Sequence, residues 1–170
     1  YVEERRTLLA TEVVRADGTR EAGYALNDVV LNRGGGGTMI DCAVEIDGRF
    51  VYAMRADGII VTTPTGSTAY NLSAGGPIVD PVSRNLIITP IAAYLSAFRS
   101  VVVGPRQVVR CEVVDAFEAL VSIDGREDFE LQVGDAVEVR AVDRPIRLIE
   151  PAGSLSFWDL LRRKVELLPS

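Results

Sequence analysis

The chain has 170 residues, with 24 acidic against 18 basic side chains, a net charge of −6 and a pI near 4.8. That length, with 48 % apolar and 25 % charged residues, suits about one globular domain whose core needs no disulfide staples, and the acidic balance excludes affinity built on broad phosphate contact, as in DNA binding. There is no histidine, which excludes Ser-His-Asp and Cys-His catalysis and His-ligated metal centres. Cys42 and Cys111 form no C-x-x-C pair, so a Cys-rich metal site is excluded too. Each lies in an alternating apolar run and reads as a buried, reduced thiol, although one disulfide between them stays open. No apolar stretch approaches the roughly 20 residues that span a bilayer, and the opening YVEERRTLLATEVV lacks the apolar region of a secretion signal. The expectation is a cytoplasmic protein with no membrane and no nucleic-acid partner.

In chain order, the dominant period is two. Strands are expected at 8–15, 24–32, 39–46, 49–55, 58–62, 86–89, 100–103, 107–114, 120–123, 129–133, 136–140 and 146–149. Ile40, Cys42, Val44 and Ile46 share one face of the third run, and Phe50, Tyr52 and Met54 share one face of the fourth. Asp47-Gly48 between them suits a two-residue hairpin turn, because both residues tolerate positive φ. Asp-Gly recurs at Asp17, Asp57 and Asp124. The four glycines at 34–37 read as a flexible loop. Pro64 opens a break in which Pro-Thr-Gly-Ser leads into a short helical stretch, TAYNLSA, stopped by Gly75-Gly76-Pro77. Near the end, Ser156 with Asp159 resembles a capping box. Phe157, Leu160, Leu161, Val165 and Leu168 then trace an amphipathic helix, with Arg162, Arg163 and Lys164 toward its C-terminus. Closely spaced short strands predict a mainly β, layered β-sandwich-like domain over 1–150, with a short helix after the TPTGSTAY turn, and a helical tail over 151–170.

Two segments carry candidate chemistry. In DGIIVTTPTGSTAYNLSAGG (57–76) a buried strand delivers a hydroxyl-rich turn into a helix. Thr65, Ser67 and Thr68 can donate and accept, Gly66 permits close backbone approach to a ligand, and amides at the helix start can hold a polar group. The plainer reading is a helix cap by Ser67 or Thr68. The segment is neither a P-loop nor a nucleophile elbow, since G-x-x-x-x-G-K-[ST] and G-x-S-x-G are both absent. The run at 34–37 fails as a dinucleotide fingerprint, having no helix pattern beside it. In ALNDVV (25–30), Asn27 and Asp28 interrupt a strand-like run against their β-propensity, and such local conflicts concentrate at functional sites. An amide beside a carboxylate suits vicinal ribose hydroxyls; a bulge or Asx turn explains the pair equally simply. Asp57 and Asp124 each precede a glycine, as turn residues do.

Taken together, ALNDVV, RADGIIVTTPTGSTAYNLSAGGPIVDP (55–81), the stretch from Phe98-Arg99 to Val103, Ile123-Asp124-Gly125 and the closing SFWDLLRRK make the chain resemble the C-terminal domain of the NAD kinases. That family transfers the γ-phosphoryl of ATP, or in some members polyphosphate, to the 2′-hydroxyl of NAD's adenosine ribose, giving NADP. The resemblance implies that Asn27 and Asp28 hold the adenosine and its ribose hydroxyls. The family more often has Glu at the second position, and Asp28 is one methylene shorter. It implies that Asp57, Ser67, Thr68, Ala69, Tyr70 and Ser73 line the dinucleotide pocket with Asp124 nearby, and that Ala92 and Tyr94 reach into a neighbouring subunit's site in a homodimer or homotetramer.

The resemblance also implies an N-terminal α/β domain, on the order of 100 residues, carrying a Gly-Gly-Asp-Gly motif whose aspartate is the base. This sequence contains no such motif and begins at Tyr1. It therefore reads as the acceptor-binding half, with no catalytic residue and no metal ligand of its own and inactive alone. Mg2+ with ATP or polyphosphate would be bound mainly by the other half, on which the terminal helix would pack. Two other readings remain: a catalytically silent NAD-binding and oligomerisation domain, and a diacylglycerol-kinase-like lipid kinase domain, against which the polar, adenosine-directed block counts.

Overall fold

The computed structural model describes residues 1–35 and 37–166. Its period-two runs pair into two six-stranded sheets. One runs in the order β3 (Arg20–Ala25), β2 (Leu9–Val14), β13 (Ala136–Ala141), β10 (Val108–Asp115), β5 (Ile40–Ile46) and β6 (Arg49–Ala56). The second runs β12 (Glu127–Leu131), β11 (Ala119–Ile123), β4 (Asp28–Arg33), β7 (Gly58–Thr62), β8 (Leu86–Ile91) and β9 (Val101–Val103). A separate ribbon pairs β1 (Val2–Arg6) with β14 (Ile146–Glu150). All of these pairings are antiparallel, which the short links within β2–β3, β5–β6 and β11–β12 require of those three pairs.

Side-chain alternation then assigns the faces. Leu9, Val13, Cys42, Val44, Cys111, Val113 and Val139 of the first sheet share one core with Val29, Leu31, Ile59, Val61, Ile88 and Val121 of the second. The mainly β, sandwich-like expectation holds. The centre of the second sheet goes further, because Val30, Ile60 and Ile87, which alternate with those core residues, are buried as well. A strand buried on both faces reads as an unbroken apolar run, which is what β4, β7 and β8 show. The outer cover comes from the chain between β7 and β8, a 3-10 turn (Thr65–Thr68) and the four-residue α1 (Tyr70–Ser73). Asn71 fastens it: its amide nitrogen donates to the Ser67 and Pro77 carbonyls at 2.9 and 3.0 Å, and its oxygen accepts from the Thr89 hydroxyl on β8 at 2.6 Å.

Four sequence expectations need correction. The single strand at 24–32 is two strands, β3 and β4, in different sheets, with residues 26 and 27 making the crossing. Phe50 is exposed rather than sharing the inner face with Tyr52 and Met54, because a bulge opposite Val44 and Glu45 shifts the β5–β6 register. Asp57-Gly58 makes no hairpin; Asp57 leads from β6 in one sheet to β7 in the other. The charged N-terminus, whose pattern lacks alternation, forms β1. By contrast Asp47-Gly48 and Asp124-Gly125 both place two residues at positive φ, the geometry of tight hairpin turns.

The terminal helix α2 (Phe157–Glu166) starts at the expected cap, where the Asp159 amide donates to Ser156 Oγ at 3.2 Å. Trp158 and Leu160 on it are about half exposed; the Val165 side chain, Leu168 and Gly36 lie outside the described residues. Among the described residues, no helix is long and apolar enough to cross a membrane.

Both cysteines are free and buried. Burial raises both thiol pKa values, that of Cys42 to about 12, and the thiolate is the reactive form. In the folded protein at pH 8 neither should react with an aromatic disulfide reagent within minutes, and both should react once the chain is unfolded in guanidinium. Rapid native-state labelling of either would contradict this packing.

Candidate functional site

The site begins where the chain leaves one sheet for the other. Residues 26 and 27 lie outside both ladders, so their backbone groups need partners elsewhere. On one side, the Asp124 carboxylate accepts the amides of Leu26, Asn27 and Asp28 at 2.7, 2.8 and 3.1 Å, and the Asp124 amide donates to the Asp28 carbonyl at 3.0 Å. On the other, the Thr63 amide and the Thr62 hydroxyl both donate to the Asn27 carbonyl at 2.9 and 2.8 Å, and the Thr63 hydroxyl donates to the Leu26 carbonyl at 2.6 Å. The crossing is thus gripped between the β11–β12 turn and the end of β7.

Gly66 closes this grip. A Cβ there would overlap the Asn27 carbonyl and the Thr62 hydroxyl, so the glycine serves an approach between two protein segments rather than between protein and ligand. Several of the following amides are committed within the protein as well. Those of Gly66, Ser67, Ala69 and Leu72 all donate within the turn. The N-cap positions are Pro64 and Ala69, neither of which gives a side-chain cap, and the hydroxyl that accepts an amide of the first turn is that of Thr63, so Ser67 and Thr68 are not caps.

The exposed product of this bracing is a cleft of about 370 Å³. Its floor follows from the strand period: Asp28, Val30 and Asn32 lie on the outer face of β4, beside Ser122 on β11. Ala69 and Tyr70 form one wall, and Asn27, Asp124 and Gly125 form the rim. A second cleft, about 690 Å³, shares Asn27 and Asp124 and is lined further by Tyr24, Leu26, Ile123 and Arg126. Both fall in the size range of small-molecule sites.

Of the residues singled out from sequence, Asn27, Asp28, Ala69, Tyr70 and Asp124 therefore meet at one cleft. Ser67 does not face it: the side chain is buried and its hydroxyl exchanges hydrogen bonds with the Val79 backbone at 3.0 and 3.3 Å. Thr68 and Ser73 belong to the covering segment without lining the cleft. Thr65 Oγ1 is buried without a partner. Asp57 pairs with Arg33 at 2.9 Å and sits beyond the far end of β7, about 17 Å along the strand from Thr62. Ala92 lies at that same end, in a third cleft with Gly75, Thr89, Phe98 and Arg99, and the Tyr94 amide donates to the Arg55 carbonyl at 2.8 Å. Ala92 and Leu95 both have left-handed backbones, φ 47° and 46°, which costs an L-residue about 1 kcal/mol each. Sequence reading missed Val30, Asn32 and Ser122 on the floor and Thr62 in the brace. Counting in twos from Asp28 finds the first two; nothing local marks Ser122.

Burial, with the negative charge of Asp124 second, raises the Asp28 carboxyl pKa to about 6. The native state therefore holds this proton more tightly than the unfolded chain does. The stabilising contribution is fully present below about pH 4 and is lost as pH rises through 6. An Asp28→Asn variant, locked neutral, should be more stable than the parent above pH 6, by on the order of 2–3 kcal/mol, with the difference vanishing below about pH 4. Urea melts across that range check it, and a pH-independent difference contradicts it. A second outcome concerns Gly66→Ala, which should cost about 1–3 kcal/mol through overpacking. In amide-exchange measurements the loosening should concentrate at residues 26–28 rather than spread evenly.

Comparison with known proteins fits this geometry. The sequence pattern of the ATP-NAD kinase C-terminal domain matches residues 26–151. The chain is 44 % identical over 165 residues to an NAD kinase of Thiobacillus denitrificans, covering 97 % of this chain and 57 % of that protein. It is 42 % identical over 165 residues to one of Ralstonia nicotianae, covering 97 % and 54 %. Among solved structures it resembles yeast NADH kinase complexed with NADH, with a TM-score of 0.89 at 27 % identity, covering 98 % of this chain and 51 % of that one. It also resembles an NAD kinase from Archaeoglobus fulgidus in complex with ATP, with a TM-score of 0.79 at 27 % identity, covering 98 % and 61 %. The chain spans a little over half the length of the curated relatives it matches. With its TPTGSTAY turn folded over the sheet and its Asn-Asp pair at the crossing, the chain belongs to the NAD kinase family, through that family's C-terminal domain.

Proposed function

We propose that this chain is the acceptor-binding half of an NAD kinase, an enzyme that phosphorylates the 2′-hydroxyl of the adenosine ribose of NAD to give NADP. The observation that carries the reading is the convergence of Asn27, Asp28, Ala69, Tyr70 and Asp124 on one cleft. Above pH 6 the Asp28 carboxylate is an acceptor for vicinal ribose hydroxyls, and the Asn27 amide can both donate and accept. Tyr70, half exposed at the wall, offers an aromatic face to a base or sugar. The adjoining cleft, sharing Asn27 and Asp124, leaves room for a ligand with two nucleoside halves.

In the reaction, the ribose oxygen forms a bond to the γ-phosphorus of ATP, or to the terminal phosphorus of polyphosphate, as the bridging P–O bond breaks. The hydroxyl proton passes to a base. This chain's part is to orient the acceptor, which can contribute several kcal/mol by placing the reacting oxygen correctly. Among the described residues no three His, Cys, Asp or Glu side chains are grouped to hold a metal ion, and no step is assigned to a cation bound here. The base and the Mg2+-bearing donor site are assigned to a preceding domain, against which the half-exposed face of α2 would pack. The division of the chain at about residue 150 follows from that assignment.

Placement at the far end of β7 supports a second element of the proposal. Asp57, Ala92 and Tyr94 are too distant from Asp28 to share its cleft, and Tyr94 is exposed. They would serve the cleft of another copy, so the assembly is a homodimer or homotetramer. Its setting is proposed as cytoplasmic, where Cys42 and Cys111 remain reduced.

Two measurements test the proposal. Calorimetric titration of the chain with NAD should show binding, and Asp28→Ala should weaken it about tenfold or more, the loss of one charge-assisted hydrogen bond. Incubation with NAD, ATP and magnesium, read by an NADP-specific dehydrogenase, should yield no product from this chain alone. NADP formation that disappears in Asp28→Ala would contradict the division of labour, and absence of NAD binding would contradict the acceptor assignment.

A further inference from the structure

We propose that Asp124 is a positioning residue of the acceptor cleft, acting on the ligand through Asn27 and Asp28 rather than by contact of its own. The inference rests on the acceptor-binding reading above and assigns this residue a mechanism within it. Three consecutive amides, those of Leu26, Asn27 and Asp28, converge on one carboxylate. Oδ2 receives the first, and Oδ1 receives the other two. With the return bond from the Asp124 amide to the Asp28 carbonyl, four hydrogen bonds fix the backbone from which the Asn27 and Asp28 side chains enter the cleft.

Turn formation alone does not ask for this residue. Asp124 and Gly125 have φ of 49° and 66°, and a left-handed turn position such as that of Asp124 accepts Asn or Gly as readily as Asp. The amides ask for more. An aspartate offers acceptor oxygens on both arms, whereas an asparagine offers one oxygen and turns an NH2 toward the remaining N–H donor. With three donors already on the carboxylate, Asp124 has little acceptor capacity left for a ligand. It also places a negative charge beside buried Asp28, a repulsion that a mere turn residue would not need to impose.

Asp124→Asn and Asp124→Gly therefore preserve the turn and break the clamp. The experiment titrates NAD into the 170-residue chain as wild type, Asp124→Asn, Asp124→Gly, Asp28→Asn and the Asp28→Asn/Asp124→Asn double variant. Melting temperature and amide exchange at residues 26–28 are recorded for each. The expected result is about tenfold weaker NAD binding in both Asp124 variants with lost protection at 26–28. In the Asp28→Asn background, the Asp124 change should cost no more than about threefold, because residues acting as a unit are non-additive. Equal weakening in both backgrounds would show that Asp124 does not act through Asp28 and overturn the inference. So would a lowered melting temperature with unchanged affinity, or unchanged protection at 26–28. A wild-type chain that binds no NAD overturns the acceptor reading itself, which separates that failure from additivity in the cycle.

Discussion

A chain that passes from one sheet to another leaves two or three residues whose amides and carbonyls no ladder can satisfy, and in this protein that constraint organises the site. The crossing at Leu26 and Asn27 is held between the Asp124 turn and the end of β7, where protein groups replace the lost ladder bonds. Side chains meet the demand: a carboxylate for the amides, and two threonine hydroxyls for the carbonyls. Gly66 must lack a side chain so that the covering turn can close over the same backbone. The TPTGST turn and the Asn-acidic pair, far apart in sequence, are thus two sides of one mechanical joint.

That joint also explains why the second sheet is organised around two faces. Its inner face supplies half the core. Its outer face is buried at the centre by the β7–β8 segment and left open beside it, where Asp28, Val30 and Asn32 floor the cleft. A carboxylate in such a place is costly to ionise, and Asp28 shows it in a pKa raised to about 6. Binding a ribose there would return hydrogen-bond donors to a group that folding has deprived of water. The polar chemistry stands on strands whose other side is close-packed apolar core, which holds it still.

Much of this was legible in the residues and some was not. Alternation gave the strands, and Asp47-Gly48 gave its hairpin, because both are local properties of the chain. The strand-like run at 24–32 concealed a change of sheet, since apolar residues continue on either side of it and only Asn27 and Asp28 disturb them. Phe50 was misplaced by a bulge that carries no residue signature. Gly66 and Ser67 were recognisable as special but for the wrong reason: hydroxyls and glycine in a turn suggest a ligand, whereas here Gly66 makes room for the Asn27 carbonyl and Ser67 holds the Val79 backbone. Asp124 looked like a turn residue and is one. That it also holds a loop nearly a hundred positions away is a tertiary fact. The separation of Ala92 and Tyr94 from Asp28 likewise depends on strand register, which single-sequence pattern does not fix.

If the crossing at 26–28 presents the groups that receive the adenosine ribose, a crystal structure of the protein with NAD tests it most directly. The expected result is a ribose hydroxyl within hydrogen-bond distance of the Asp28 carboxylate or the Asn27 amide, with the Asp124 carboxylate still occupied by the three backbone amides. Adenosine bound elsewhere on the protein, with Asn27 and Asp28 unengaged, would contradict it.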